Sequence, residues 1–189
     1  GINGIVLWQL ANGIDESPVA PETHENQKAI GHNMTLPYDY AKQEEIRIVL
    51  LELCEEVGRR IRKHHYMGQT ISLSMRCGDF KHATGINRQI SLFNATDDGQ
   101  EIYEAALYLF NLHWDFMPVR RIGVSVSNLQ SSETRQLSLF NTSKNKEKLN
   151  QVLDQLHDTY GPTAVFHAAS LTTAGQVHER AHKMGGHYK

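Results

Sequence analysis

Segments of alternating apolar and polar residues are interleaved with amphipathic helical segments, and this order constrains the fold more than any other feature. Alternation with a period of two predicts strands at residues 28–36, 70–76, 87–94 and 119–129. Apolar residues three to four apart predict helices at residues 40–65 and 98–113. The order β-α-β-β-α-β predicts an α+β fold of the split β-α-β, ferredoxin-like type, a four-stranded sheet with two helices on one face.

Local signals predict where several elements end. Pro37 is predicted to end the first strand, because proline has no N–H to donate to a neighbouring strand. Asp98 is predicted to cap the second helix, and Glu101 follows three residues later, as in a capping box. The core unit is therefore expected to lie between an N-terminal segment and a C-terminal tail.

The flanking segments have patterns of their own. Residues 1–12 predict a short helix, and residues 16–26, which contain Pro18 and Pro21, predict a linker. Residues 145–160 have an apolar stripe that predicts a helix, and residues 163–169 are compatible with a strand. We therefore expect a partly helical C-terminal tail at residues 144–189.

Two helices cover only one face of such a sheet, so the other face meets solvent or a ligand. Strand parity predicts that this face carries small, hydroxylated, amide and arginine side chains: Gly31, Asn33, Thr35, Thr70, Ser72, Ser74, Arg76, Gln89, Ser91, Arg121, Gly123, Ser125 and Ser127. Such side chains are common phosphate contacts. A merely hydrophilic face is the alternative interpretation, and from these residues alone the two have equal weight.

Composition limits the classes that fit. The net charge of −2 excludes a strongly basic protein, so a nucleic-acid partner depends on where the charges lie. The two cysteines, Cys54 and Cys77, are far apart and indicate a reducing, cytoplasmic setting without a disulfide framework. No apolar run is long enough to predict a membrane span.

Several short stretches resemble a known family. KAIGH at residues 28–32, TLP at 35–37, NRQI at 87–90 and VRRIGV at 119–124 resemble strands of the little-finger domain of Y-family (lesion-bypass) DNA polymerases. LW at residues 7–8 and GID at 13–15 resemble the exit of the last thumb-domain helix. The ending GGHYK at residues 185–189 is similar to that of the bacterial UV-damage-repair and DNA polymerase IV-like branch.

The resemblance implies a division of the chain. Its parts are a last thumb helix at residues 1–15, a linker at 16–26, a little-finger DNA-binding domain at 27–131, a clamp-binding segment at 132–143 and the tail at 144–189. The residues expected to contact the phosphate backbone of primer-template DNA are Lys28, Gly31, Asn33, Ser74, Arg76, Arg88, Gln89, Arg120, Arg121 and Ser125.

The resemblance also implies what the chain lacks. The metal-binding carboxylates of the family belong to a palm domain whose pattern is not found in this sequence. We therefore expect neither catalytic residues, nor a metal site, nor a cofactor in this chain, and no activity of the chain alone. Mg²⁺ would serve the parent DNA polymerase.

The pentapeptide Gln136–Leu137–Ser138–Leu139–Phe140 is similar to the peptide by which bacterial proteins bind the sliding clamp. Its apolar side chains would enter an apolar cleft of the clamp, and its glutamine would add a hydrogen bond. A short core strand is the alternative, but the flanking residues are polar and rich in turn formers. The sequence therefore predicts an exposed docking peptide.

Two other functions fit parts of the same sequence. A stand-alone ferredoxin-like module that binds nucleic acid or protein would have the same strand order. A zinc hydrolase would use His178 and His182, which match the HExxH pattern. Gly185 and Gly186 break that helix soon afterwards, so the match is expected to be accidental.

Overall fold

The computed structural model of the protein describes residues 2–19, 27–78, 85–133, 143–184 and 187–188. The helices in these ranges are α1 (Ile2–Ala11), α2 (Gln43–Lys63), α3 (Gly99–His113), α4 (Ser143–Tyr160) and α5 (Val177–Ala181). The strands are β1 (Ala29–Tyr40), β2 (Tyr66–Cys77), β3 (Gly85–Thr96), β4 (Val119–Ser131), β5 (Lys183–Met184) and β6 (His187–Tyr188). No helix in the described ranges has the length and apolarity that crossing a bilayer requires.

The main sheet has four strands in the order β1-β4-β2-β3, and all neighbouring strands are antiparallel. The strands β1 and β2, which are connected through α2, are separated by β4. This separation is the split β-α-β arrangement, so the predicted α+β class is confirmed. The strands β5 and β6 form a separate pair.

The core lies between one face of this sheet and the helices α2 and α3. Alternate residues of β1, β2 and β4 point into it, because side chains along a strand alternate between the two faces. The stripe of α2, at Ile46, Val49, Leu50, Leu53, Val57 and Ile61, is buried as its spacing predicts. The helices α2 and α3 therefore cover one face of the sheet, and neither helix covers the opposite face.

The prediction that Pro37 ends the first strand is wrong, since β1 continues to Tyr40. The pairing of β1 with β4 shifts its register between Thr35 and Tyr40, and Pro37 lies inside this irregularity. Because β1 is an edge strand with a broken ladder at this point, the missing N–H of proline costs no ladder hydrogen bond.

Asp98 caps α3 as predicted, with its Oδ1 accepting a hydrogen bond of 2.8 Å from the N–H of Gln100. The predicted reciprocal contact from Glu101 is replaced by Thr96. The Oγ1 of Thr96 accepts a hydrogen bond of 3.1 Å from the N–H of Asp98. A buried threonine upstream therefore satisfies the donor that the capping box assigns to Glu101.

The tail differs from its sequence pattern. Residues 163–169 form turns that lead into a 3₁₀ helix at Ala168–Leu171, so the predicted strand is wrong. The helix α4 forms as expected, but its apolar stripe is only partly covered, and Leu149 and Val152 are exposed. The tail is instead attached to the rest of the protein mainly by polar contacts, which are described below.

Candidate nucleic-acid interface

The side of the sheet turned away from α2 and α3 forms a continuous surface, here called the open face. Strand register places its residues in rows that run across β1, β4, β2 and β3. The rows are Gly31–Ser125–Ser72–Gln89, Asn33–Gly123–Ser74–Asn87 and Thr35–Arg121–Arg76–Gly85. Small, hydroxylated and amide side chains thus lie beside two arginines, as strand parity predicts for β1, β2 and β4.

Arg76 and Arg121 are directly opposite each other in the pairing of β2 with β4, and both are exposed. Within the described residues, no carboxylate lies at ion-pair distance from either guanidinium. Like charges directly opposite in a sheet repel each other. The pair therefore forms a cationic site whose repulsion an anion would relieve.

Glycine makes part of this surface flat. A Cβ atom on Gly123 would lie 2.7 Å from the Cβ of Asn33 and 2.9 Å from the Oγ of Ser74. A Cβ on Gly31 would lie 2.7 Å from the Cβ of Ser125. Glycine at these positions leaves space for the neighbouring polar side chains to lie across the strands.

Most of the predicted DNA-contacting residues lie on the open face: Gly31, Asn33, Ser74, Arg76, Gln89, Arg121 and Ser125. Lys28 directly precedes β1 and is exposed. Arg88 is paired with the core residue Leu73, so its parity places it on the opposite face, at the exposed edge strand β3. A shift of one residue along a strand changes the face, and this explains why Arg88 and Gln89 differ.

Arg120 also lies outside the rows. The register of β2 with β4 passes from Arg121 to Val119 without a partner for Arg120. Its Nη1 donates a hydrogen bond of 3.2 Å to the carbonyl of Pro37 and lies 3.6 Å from Oδ1 of Asp39. Arg120 is therefore already partnered within the domain, whereas the adjacent Arg121 is not neutralised by any described carboxylate.

A second polar cluster attaches the tail to α2 and β1. The carboxylate of Glu52 accepts hydrogen bonds of 3.1 Å at both oxygens from the N–H of Gln176 and lies 3.4 Å from Nη2 of Arg180. The hydroxyl of Tyr40 donates 2.9 Å to the carbonyl of Ala174 and accepts 3.1 Å from Nε2 of Gln176. These contacts bury Glu52, Tyr40 and Gln176 almost completely.

Burial sets the electrostatics of this cluster. It raises the pKa of the Glu52 carboxyl, against the opposing effect of a Ser170 hydrogen bond and of Arg180. It lowers the pKa of the Arg180 guanidinium, which the charge of Glu52 partly offsets. Nearby on β1, burial together with Arg60 and Arg180 lowers the pKa of His32 to about 4. Burial therefore disfavours the charged forms of Glu52, Arg180 and His32, and the attraction between Glu52 and Arg180 offsets part of that cost.

Ion pairs attach α4 to the same side of α2. The guanidinium of Arg62 donates to both carboxylate oxygens of Asp154, at 2.7 and 2.9 Å, and also to the carbonyl of Asp97. Arg59 donates 2.6 Å to Asp158. The two-point contact between Arg62 and Asp154 is of a kind that is strong and directional. These ion pairs account for the partly polar attachment of α4 that its apolar stripe does not predict.

Sequence reasoning missed the cluster around Glu52. One signal was present, because Glu52 lies three residues after Val49 and thus at the margin of the buried stripe of α2. Its partners Gln176 and Arg180 are more than a hundred residues away and have no pattern that points to them. A buried acid was therefore predictable, but its partners were not.

The predicted clamp-binding pentapeptide, Gln136–Phe140, lies outside the described residues. On one side the described chain reaches Glu133, after a hydrogen bond of 2.9 Å from the N–H of Ser132 to the carbonyl of His65. On the other side it resumes with α4. The pentapeptide is thus bordered by two elements that are attached to the domain, and its role stays a prediction.

The structure around the HExxH residues His178 and His182 does not favour zinc binding. It lies on α5, which is five residues long, and Nδ1 of His182 is 2.7 Å from the carbonyl of His178. The ring of His178 packs edge-on against Phe166. In the part of the chain that the structure describes, no three potential metal ligands lie together.

Comparison with known proteins identifies the class. Residues 27–139 match the C-terminal domain of the impB/mucB/samB family, which is more than half of the chain. The chain therefore belongs to this family, and the resemblance to the C-terminal part of Y-family polymerases is confirmed.

Individual relatives narrow the comparison. The chain is 53% identical over 190 residues to DNA polymerase IV 2 of Bacillus subtilis strain 168, and 48% identical over 189 residues to DNA polymerase IV 2 of Halalkalibacterium halodurans. It is 41% identical over 179 residues to DNA polymerase IV of Moorella thermoacetica. The matches cover 100%, 100% and 94% of this chain but only 46%, 46% and 44% of the relatives. The chain thus spans about half the length of these relatives.

Proposed function

We propose that this chain is the DNA-binding and clamp-docking C-terminal part of an error-prone, translesion DNA polymerase that acts in DNA damage repair and tolerance. The open face would grip the phosphate backbone of primer-template DNA. One observation carries the proposal: Arg76 and Arg121 lie side by side without a described acidic partner, in a member of the impB/mucB/samB family. Lys28 and Arg88, exposed beside or on the edge strands, would extend the contact to the rim.

The open face suits phosphate contact better than base readout. Serine, threonine and asparagine side chains are short, so backbone N–H groups and hydroxyls come close to a strand lying across them. Arginine offers planar donors that match two phosphate oxygens. Affinity should therefore depend strongly on salt and weakly on base sequence.

The parent would be a cytoplasmic DNA-directed DNA polymerase that transfers nucleotidyl groups with two Mg²⁺ ions held by a palm domain outside this chain. Residues 1–15 would be the last thumb helix. This role would explain why Ile5, Leu7 and Trp8 of α1 are all more than 60% exposed, at 62%, 66% and 63%, because the rest of the thumb would cover them. The chain alone should not extend a primer with nucleotides and Mg²⁺.

The segment at residues 132–143 would bind the bacterial sliding clamp through the pentapeptide. In this interpretation Leu139 and Phe140 are the apolar anchors, Gln136 supplies the hydrogen bond, and Leu137 and Ser138 connect them. The residues on both sides of the segment belong to β4 and α4, which are parts of the domain and of the attached tail. Clamp binding and DNA binding would therefore use separate surfaces.

Family membership argues against an unrelated stand-alone interaction module. The zinc hydrolase is disfavoured by the short α5 and by the contact between His182 and the His178 carbonyl.

The test is the salt dependence of DNA binding, measured by fluorescence anisotropy on a short labelled primer-template duplex. The 189-residue chain should bind with an affinity that falls steeply as salt rises. Arg76→Ala and Arg121→Ala should each reduce the slope of log affinity against log salt by about 0.9, which is the value for one lost phosphate contact. Duplexes of different sequence should bind alike.

Arg59→Ala is the matched control, because Arg59 is already paired with Asp158 on the far side of α2. It should leave the salt slope unchanged. Binding that does not depend on salt, or equal slopes for the parent, Arg76→Ala and Arg121→Ala, would overturn the assignment of the open face.

A further inference from the structure

Arg76 and Arg121 face each other on the open face, so they need a restraint if they are to be positioned before DNA binds. Arg76 and Arg121 are directly opposite on β2 and β4, where their charges repel. Exposed arginine side chains have many rotamers, so without a restraint they would turn away from each other into solvent. A restraint that does not neutralise them would preserve their attraction for an anion.

Asn33 provides such a restraint for Arg121. Its Oδ1 accepts a hydrogen bond of 2.8 Å from Nη2 of Arg121. Asn33 is paired with Gly123, two residues along β4 from Arg121, so the amide reaches diagonally across the strands. The reach depends on Gly123, since a Cβ there would lie 2.7 Å from the Cβ of Asn33.

The chemistry of the acceptor matters as much as its position. A carboxylate at this position would hold the guanidinium and also cancel its charge, as Asp39 does near Arg120. A neutral amide oxygen occupies one donor of Arg121 and leaves the charge and the remaining donors available. Those donors and the guanidinium of Arg76 then face the same space above the sheet.

We infer that Asn33 is a positioning residue: it holds the Arg121 guanidinium next to Arg76, so that the two arginines can each bind a phosphate of the DNA backbone. This inference rests on the proposed function and changes the expected role of Asn33 itself. Asn33 acts through Arg121 and is not a phosphate contact of its own.

A double-mutant cycle tests the inference in the full 189-residue chain, with the same duplex. Asn33→Ala should weaken binding about twofold, less than the loss of Arg121 itself, because it removes one hydrogen bond that orders the guanidinium and leaves the guanidinium in place. The salt slope should stay that of the parent, because no charge is lost. In the Arg121→Ala background, Asn33→Ala should have no further effect. Asn33→Thr, which favours strand structure, should behave like Asn33→Ala and guards against loss of fold.

Asn33→Asp gives a readout that a structural role would not change. The carboxylate should pair with Arg121 and lower the salt slope by about 0.9, although Arg121 is still present. The matched control is Asn111→Ala, because Oδ1 of Asn111 accepts a hydrogen bond of 3.2 Å from Arg47 on the helical side. That substitution should change neither the affinity nor the slope.

The outcomes separate this inference from the proposed function. If Arg121→Ala binds DNA like the parent, the open face is not the DNA site and the proposed function fails. If Arg121→Ala weakens binding but Asn33→Ala weakens it by the same factor with or without Arg121, Asn33 is an independent contact and the positioning role is overturned. An unchanged slope in Asn33→Asp would also overturn it.

Discussion

The open face and the outer side of α2 both carry arginines, but the two surfaces differ in whether those arginines are paired with carboxylates. On α2, Arg59 and Arg62 each hold an aspartate of α4, and Arg180 of the tail holds the buried Glu52. On the open face, Arg76 and Arg121 have no carboxylate at ion-pair distance in the described part of the chain. A chain with a net charge of −2 can thus present a cationic surface, because Glu52, Glu56, Asp154 and Asp158 neutralise arginines of another surface.

This difference separates two uses of the same side chain. The paired arginines fix the position of the tail. Such ion pairs contribute more to the geometry of the attachment than to net stability. Arg76 and Arg121, which have no carboxylate partner among the described residues, would remain available to a ligand that supplies the negative charge.

The ion pair between Glu52 and Arg180 is tested by Glu52→Gln. This substitution leaves the buried Arg180 guanidinium without its carboxylate partner, and we expect the free energy of unfolding to fall by about 3 kcal/mol in urea titrations. DNA affinity should not change, since the open face is on the other side of the sheet. Replacing the pair together, as Glu52→Leu with Arg180→Met, should cost less than the single change.

The control for Glu52→Gln is Glu104→Gln on α3, an exposed position that should change the unfolding free energy by less than about 0.5 kcal/mol. If Glu52→Gln has as small an effect as Glu104→Gln, the buried pair does not hold the tail.

The clamp segment should be independent of both surfaces. Truncating Leu139 and Phe140 to alanine should cost roughly 2 kcal/mol or more at each site, or about thirtyfold in affinity for the bacterial sliding clamp, measured by calorimetry. Ser138→Ala is the control and should bind like the parent. The assignment would be wrong if the double variant bound the clamp normally, or if it unfolded the domain, as expected for core residues.

The pH dependence of stability tests the environment of His32, which faces Arg60 and Glu56 of α2 and Arg180 of α5. The folded state holds the pKa of His32 at about 4, below its ordinary value of 6.5, so the unfolded chain binds the extra proton first. Stability from this residue is therefore complete above about pH 6.5 and is lost as the pH falls toward 4.

Allowing for its partial exposure, we expect His32 to account for about 1.5 kcal/mol of the loss between about pH 7 and pH 4. His32→Gln should remove that part of the pH dependence in urea titrations, whereas His64→Gln at the exposed end of α2 should keep it. Identical pH profiles for the parent and His32→Gln would refute this account.

The smallest effect is expected for Arg120. Because Asp39 and the Pro37 carbonyl already bind it, Arg120→Ala should change duplex affinity less than about twofold, compared with about fivefold for Arg121→Ala. Asp39→Asn should release Arg120 and increase the salt slope of binding. If Arg120→Ala weakens binding as much as Arg121→Ala, the distinction between paired and unpaired arginines fails for this pair.

The sequence alone determined the β-α-β-β-α-β order of the core, the buried stripe of α2 and the two faces of β1, β2 and β4. These follow from periodicity, which is a local property, because a strand alternates every residue and a helix repeats every 3.6. Seven of the ten predicted DNA-contacting residues consequently lie on the open face.

Only the tertiary structure decided which arginines have no carboxylate partner in the described part of the chain. Arg88 lies on the other face, the irregular pairing of β4 leaves Arg120 beside Asp39, and Glu52 meets partners more than a hundred residues away. Pro37 is tolerated because β1 is an edge strand with a register shift. Strand register, irregular strand pairing and distant ion pairs all depend on which segments come into contact in the folded chain. The residue pattern of a single segment does not specify those contacts.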